Sequence, residues 1–316
     1  MNEVQLIDLI LDRLGSVGRD ARLKVGPGDD AAVVAWQSDR EMVVSTDVCI
    51  DGVHVPNSCR GDLVGYRSVA MCVSDLVAMG ALPRYLTIAL TVEHADTEWI
   101  TDFAEGVRDG CEAASTVVIG GNLAKGNKQV TITGIGMVPC AQSIQRNTAR
   151  PDDDIWITGR LGASVLAVST IASWVPQPLS ELKHLTSTDV FARYLIPPIR
   201  TNFVSCLRDC ASACTDISDG LAFELEQLVL GSTNSYHVDT REIPLWPEVE
   251  IEEVFVRDDS YELLFTASKQ HREIVLSHAQ DSGTPVSRIG RIQSTSKRVF
   301  VPEGVVIGTV SGYSHF

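Results

Sequence analysis

Helix-like and strand-like periods alternate through the first 139 residues of this chain, break at a polar stretch from Cys140 to Asp154, and then resume. "MNEVQLIDLILDRLG" has the spacing of an amphipathic helix, and "AAVVAW" and "EMVVSTDVCIDGVHV" follow as strands. "GDLVGYRSVAMCVSDLVAMGA" predicts a helix with Asp62 as its N-cap, and "LPRYLTIALTV" a strand. "ADTEWITDFAEGVRDGCEAAS" predicts a second amphipathic helix, with Trp99, Phe103, Val107 and Cys111 at spacings of four. "TVVIGGN" then reads as a strand ending on a glycine pair, and "KQVTITGIGMVP" alternates at period two. This order specifies a mixed α/β fold.

After the polar stretch come the strand "DIWITG", a helix in "LGASVLAVSTIASW", a Pro-rich connection and the cysteine-striped "SCLRDCASACTD". "DISDGLAFELEQLVLG" reads as a turn and a helix, followed by strands in "SYHVDT", "YELLFTAS", "VSRIGRI" and "RVFVPEG" with a helix after Lys269. A chain of 316 residues exceeds what one core organises, so two domains are expected, 1–147 and 148–316.

The net charge of 26 − 41 = −15 disfavours nucleic acid or an anionic membrane as partner. The N-terminus lacks the basic segment of a secretory signal, and the longest charge-free stretch, Leu161–Ser180, is broken by Gly162, serines, Pro176 and Pro178. A cytoplasmic protein with reduced thiols is expected. Cys206, Cys210 and Cys214 recur every four residues, which places three sulfurs on one helical stripe. A metal site would want a C-x-x-C pair or a histidine beside them, so the stripe reads as small buried hydrophobes.

Carboxylates recur beside glycines at the ends of apolar elements: Asp29 and Asp30 in "VGPGDDAAVV", Asp47 after "VVST", Asp75 inside "MCVSDLVAMG", and Asp216 and Asp219 in "TDISDG". One such residue is ordinarily a turn former or a cap, and capping is the first reading of Asp219 alone. The recurrence needs more, because clustered carboxylates raise one another's pKa unless a cation neutralises them. Oxygen donors without His or Cys select hard ions, Mg2+ above all, which keeps waters and bridges to phosphates. A divalent cation between Asp29, Asp30 and a nucleotide would make that pair favourable. In "IGGNLAKG", backbone N–H groups of the glycine pair can approach phosphate, with Lys125 as a point charge, although the same pattern is commonly a plain loop. Neither a Walker A loop nor a G-x-G-x-x-G fingerprint is present.

"GPGDDAAVV", "VVSTDVCIDGVHV", "SVAMCVSDLVAMGALP", "VIGGNLAKG", "TDISDGL", "YELLFT" and "GYSHF" occur in the order and spacing of the bacterial thiamine-monophosphate kinases, which the chain resembles over essentially its whole length. That family shares a superfamily with aminoimidazole ribonucleotide synthetase and selenophosphate synthetase. The resemblance implies an N-terminal domain that pairs with a second copy into a dimeric β-barrel core, and a C-terminal α/β domain closing a cleft. It implies transfer of the ATP γ-phosphate to thiamine monophosphate with several Mg2+ ions. Asp30, Ser45, Thr46, Asp47, Asp75, Asp216 and Asp219 match metal ligands of the family, and Gly120, Gly121, Arg146 and Ser218 match ATP contacts. His54 and Tyr313 match substrate contacts, although His54 by itself is as readily a turn histidine.

Two departures stand out. Asn122 follows the glycine pair where the family has Asp, leaving an amide oxygen as the ligand. The family's "GGEDYELLFT" is "RDDSYELLFT" here, so both glycines are gone, Asp259 stands for the substrate-contacting Glu, and Ser260 for Asp. The altered segment keeps two alternatives open: a phosphotransferase on the same scaffold with another small acceptor, or a nucleotide-binding protein without turnover.

Overall fold

The computed structural model describes residues 3–15, 23–25, 33–34, 39–171, 174–295 and 297–301. The first half runs α1 (Glu3–Leu14), β1 (Leu23–Val25), β2 (Val33–Val34), β3 (Arg40–Ile50), α2 (Gly61–Ala78), β4 (Leu82–Val92), α3 (Thr97–Ala114), β5 (Val117–Lys125) and β6 (Gln129–Pro139). The second runs β7 (Asp154–Thr158), α4 (Ala163–Thr170), α5 (Leu179–Leu182), α6 (Val190–Leu195), α7 (Val204–Cys210), β8 (Ala211–Asp216) and α8 (Leu221–Val229). It ends with β9 (Ser235–Asp239), α9 (Ile251–Val256), β10 (Leu263–Ala267), α10 (Arg272–Ser282), β11 (Val286–Gln293) and β12 (Val299–Val301). The chain forms two interleaved compact units. Residues 173–199 belong with the first and residues 77–81 with the second.

In the first unit the long sheet has the order β3-β6-β4-β5, antiparallel except for the parallel pair β4/β5 that α3 connects. Among the described residues this sheet is open, with β3 and β5 as its edges. α3 starts on Asp96, whose carboxylate accepts from the amides of Glu98 and Trp99, and ends on Ser115 in the left-handed region. α2 is buried almost all round, which explains its weak amphipathic period. Its neighbours include α3, where a Cβ at Gly65 would meet the Phe103 carbonyl at 2.3 Å. Asp62 is therefore not the expected N-cap. It lies inside the first turn of α2, buried, bonded to Arg60 and accepting from the Leu179 amide at 2.8 Å.

The second unit is built on a six-stranded sheet of order β12-β9-β11-β7-β10-β8, parallel only between β12 and β9. β7 and β10 are buried at every position, so both faces are covered and the apolar runs "DIWIT" and "LLFTA" follow from that. Trp156 stacks on Phe265, which Phe203 meets edge-on. Asp154, fully buried at the head of β7, is held by a bidentate pair with Arg272. The cysteine stripe divides here: Cys206 and Cys210 lie on α7, whereas Cys214 lies on β8, because Ala211–Asp216 pairs with β10. All three are buried, as the packing reading requires.

Candidate functional site

In the first unit the sheet carries Ser45 and Asp47 on one face of β3, since alternate side chains share a face. Ser45 pairs in register with Gly134 of β6. A Cβ at Gly134 would stand 2.8 Å from Cys72 Sγ, so the glycine lets α2 lie directly on the sheet. Asp75, one helical turn beyond Cys72, thereby reaches Ser45, whose hydroxyl donates to Asp75 Oδ2 at 2.5 Å. Burial first, then the charges of Asp75 and Asp47, push the Cys72 thiol well up, so both carboxylates are within electrostatic reach of it. The Thr46 side chain is on the opposite face, exposed and bonded to Thr133 Oγ1 at 2.9 Å. Only its backbone can join the other three.

His54 sits in the turn after β3. Its Nδ1 accepts from the Ile50 amide at 3.1 Å, which leaves the proton of the neutral ring on Nε2. Its carbonyl is clamped by Arg67 Nε at 2.9 Å and Tyr194 OH at 3.0 Å, with the fully buried Arg67 guanidinium stacked on the Tyr194 ring. Gly120 and Gly121 do not end a strand, as expected, but lie inside edge strand β5, which continues through Asn122 to Lys125. A register shift in β4 accompanies them, and a Cβ at Gly121 would meet the Ile88 carbonyl at 2.1 Å. Asn122 and Lys125 are exposed. A separate cavity of about 370 Å³ in this unit is lined by Tyr66, Asp109, Glu112, Lys183 and Arg193, and by none of the expected site residues.

In the second unit Asp216 ends β8, largely buried, and leads into the bend at 217–220. Ser218 donates to Asp219 at 3.2 Å. Asp219 does not cap the following helix: Gly220, with φ +100°, holds that position and α8 has no side-chain cap. Arg146 is exposed. Asp259 donates its amide to Ser164 Oγ at 3.2 Å. Just before it, Asp258 is buried and its carboxyl is pushed up to about 7, by burial above all. Two residues on, Tyr261 has φ +54°.

Asp258, Ser164 and the pair Arg200–Glu262 were not legible as functional or structural centres. Arg200 forks onto the fully buried Glu262 at 2.9 and 2.7 Å, 62 residues away in sequence. The adjacent carboxylates of "RDDS" beside an apolar run were the available signal for Asp258. Asp29, Asp30 and Tyr313 lie outside the described residues.

Among the described residues no group of three or more His, Cys, Asp or Glu side chains is gathered for a metal. Asp75 with the Ser45 hydroxyl, and Asp47 on the same face of β3 as Ser45, nevertheless offer the donors that suit Mg2+, which takes one or two carboxylates and completes its shell with water and phosphate. The buried thiols are poor competitors for it. Burial pushes Cys49 up to about 11 and Cys59 and Cys111 to about 12.

Residues 28–138 match the family described as AIR synthase related protein, N-terminal domain. The thiamine-monophosphate kinase of Escherichia coli K12 is 30% identical, over 99% of this chain and 98% of its own length. The crystal structure of thiamine-monophosphate kinase from Stenotrophomonas maltophilia K279a superposes with a TM-score of 0.83 at 30% identity, covering 95% of this chain and 97% of that one. AaThiL complexed with AMPPCP and TMP superposes with a TM-score of 0.75 at 25% identity, covering 99% and 97%. The chain belongs to the thiamine-monophosphate kinase family.

Proposed function

We propose that the chain transfers the γ-phosphoryl group of ATP to the phosphate of thiamine monophosphate, giving thiamine diphosphate and ADP. The observation that carries this is similarity along the full length of both chains to thiamine-monophosphate kinases. A structural relative of 25% identity is itself complexed with AMPPCP and TMP. Phosphoryl transfer asks mainly for positioning and charge neutralisation, so a site of carboxylates, cations and backbone amides suffices.

In this reading Asp30, Ser45, Thr46, Asp47, Asp75, Asn122, Asp216 and Asp219 hold Mg2+, with Thr46 acting through its backbone. Mg2+ supplies neutralisation of the phosphate charge. Gly120, Gly121 and Ser218 offer backbone and hydroxyl donors to ATP, and Arg146 a planar fork for phosphate. His54, Asp259 and Tyr313 contact the acceptor; the clamp on the His54 carbonyl fixes its backbone and the Ile50 amide on Nδ1 fixes its ring. The nucleotide site lies mainly on the first unit, and the expected division near residue 147 is crossed by residues 173–199, which pack with that unit. A homodimer through the first sheet is supported by its open edges and by exposed Met42 and Val44 on β3. No helix among the described residues is long and apolar enough to cross a membrane.

The deciding experiment incubates the purified protein with ATP, Mg2+ and thiamine monophosphate and separates thiamine diphosphate by chromatography. Product at a turnover of about 0.1 per second or more is expected. ATP binding without product would move the acceptor assignment to another small phosphorylated molecule.

A further inference from the structure

Asp258 stands where three segments of the second unit meet. Its Oδ1 accepts from the Gly162 amide at 3.2 Å and from Ser164 Oγ at 2.7 Å, at the start of α4. Its carbonyl accepts from the Gly220 amide at 3.1 Å, at the start of α8. The Ser164 hydroxyl, having given its proton to Asp258, accepts in turn from the Asp259 amide. The node is closed by two glycines that admit no side chain. At Gly162, φ +93°, a Cβ would meet Val249 Cγ1 at 2.5 Å, and at Gly220 it would meet the Phe255 carbonyl at 2.9 Å.

A carboxylate buried to 3% exposure is costly unless its bonds repay the desolvation. The carboxyl of Asp258 faces the helix start through Gly162 and Ser164, while its neighbour Asp259 remains only partly buried. One side chain is thus spent on orienting the next. Because Ser164 is both donor to Asp258 and acceptor from Asp259, its hydroxyl rotor has a single useful setting. Without the carboxylate, the hydroxyl is free to turn and the Asp259 amide loses a fixed acceptor.

We propose that Asp258 is a positioning residue that, through Ser164, fixes the backbone of Asp259 and with it the acceptor end of the site. The assignment of Asp259 to acceptor binding rests on the proposed function; the anchoring itself does not. Asp258→Ala and Ser164→Ala break the same chain of bonds, so their effects are expected to be non-additive. Asp258→Asn keeps an oxygen at Oδ1 and is expected to restore the wild-type behaviour.

The test has two readouts on the full-length protein. The first is amide hydrogen exchange of peptides spanning residues 158–166 and 257–263. Asp258→Ala and Ser164→Ala should speed exchange there at least about tenfold, Asp258→Asn should not, and peptides from the first unit should be unchanged. Unaltered exchange in the two alanine variants overturns the proposal, whatever the enzyme's activity. The second is steady-state kinetics: the KM for thiamine monophosphate should rise about tenfold in the alanine variants with the KM for ATP within twofold. Equal rises in both constants would mark Asp258 as a general structural residue and also overturn it. A wild type that makes no thiamine diphosphate would sink the functional reading alone, with the exchange result still deciding the anchoring.

Discussion

The hydroxyl of Ser45 and the carboxylate of Asp75 meet at 2.5 Å, across 30 residues of sequence and two different elements. Ser45 comes from β3, where its neighbour on the same face is Asp47. Asp75 comes from a helix buried nearly all round. A carboxylate on such a helix has few ways of being satisfied, and a donor from the sheet is one of them. The same bond holds Asp75 at the sheet surface, on the side where Asp47 also lies.

If Asp47 and Asp75 neutralise phosphate through bound Mg2+, removing one charge costs catalysis more than stability. Asp75→Asn can still accept from Ser45, so its melting temperature should stay within a few degrees of wild type. Turnover should fall at least about a hundredfold for Asp75→Asn and for Asp47→Asn. Unchanged kcat in either variant would remove that residue from the site.

Gly134 controls how closely α2 approaches the sheet. Cys72 Sγ and Leu76 Cδ1 stand at 2.8 and 3.0 Å from where a Cβ would be. Gly134→Val should therefore push the helix outward, destabilising the protein by about 1–3 kcal/mol in denaturant unfolding and lowering turnover in the surviving folded fraction. A variant as stable and as active as wild type would show that Asp75 does not depend on this contact.

The order of elements was legible because long segments carried one clear period, as α3 does with Trp99, Phe103, Val107 and Cys111. Errors arose where two periods coincide or where the decisive partner is remote. Cys206, Cys210 and Cys214 fit a helix, yet residues 211–216 form a strand because β10 pairs with them; tertiary pairing overrides local spacing. Glycine ordinarily punctuates a strand, whereas at Gly120 and Gly121 a shifted register carries β5 through them. Of the candidate site, Ser45 meets Asp75 and shares a face of β3 with Asp47, and nothing local places Thr46 on the other face except the alternation of β3. The bond from Ser164 to Asp258 spans 94 residues and has no signature in either segment.

Arg200 and Glu262 form a buried ion pair in the second unit, and Thr158 Oγ1 adds a donor to the same carboxylate at 2.5 Å. Gly159 beside them leaves no room for a side chain: a Cβ there would lie 1.7 Å from Glu262 Oε1. Arg200→Met leaves a carboxylate of 0% exposure without its cation. We expect a loss of about 3–5 kcal/mol in urea unfolding. Glu262→Gln with Arg200→Met should recover part of it, since neither charge then remains buried alone. A single variant within about 0.5 kcal/mol of wild type would contradict the assignment.

Asp258 gives a pH dependence whose sign is fixed by its environment. Its carboxyl is raised from the ordinary 3.8 to about 7, by burial first and by the neighbouring charge of Asp259, against the favourable bonds from Ser164 and Gly162. The folded state therefore holds this proton more tightly than the unfolded chain does. The contribution to stability is complete below about pH 4 and is lost as the pH rises through about 7. At 1.36 kcal/mol per pH unit, the span amounts to about 4 kcal/mol at most. Asp258→Asn has no proton to lose at this position, so it should lack this part of the decline. Urea midpoints of both proteins at pH 5 and pH 8 separate this effect from every other titrating group, because only position 258 differs. Wild type should lose stability relative to the variant between the two pH values, and a constant difference would mean that Asp258 is already ionised at pH 5.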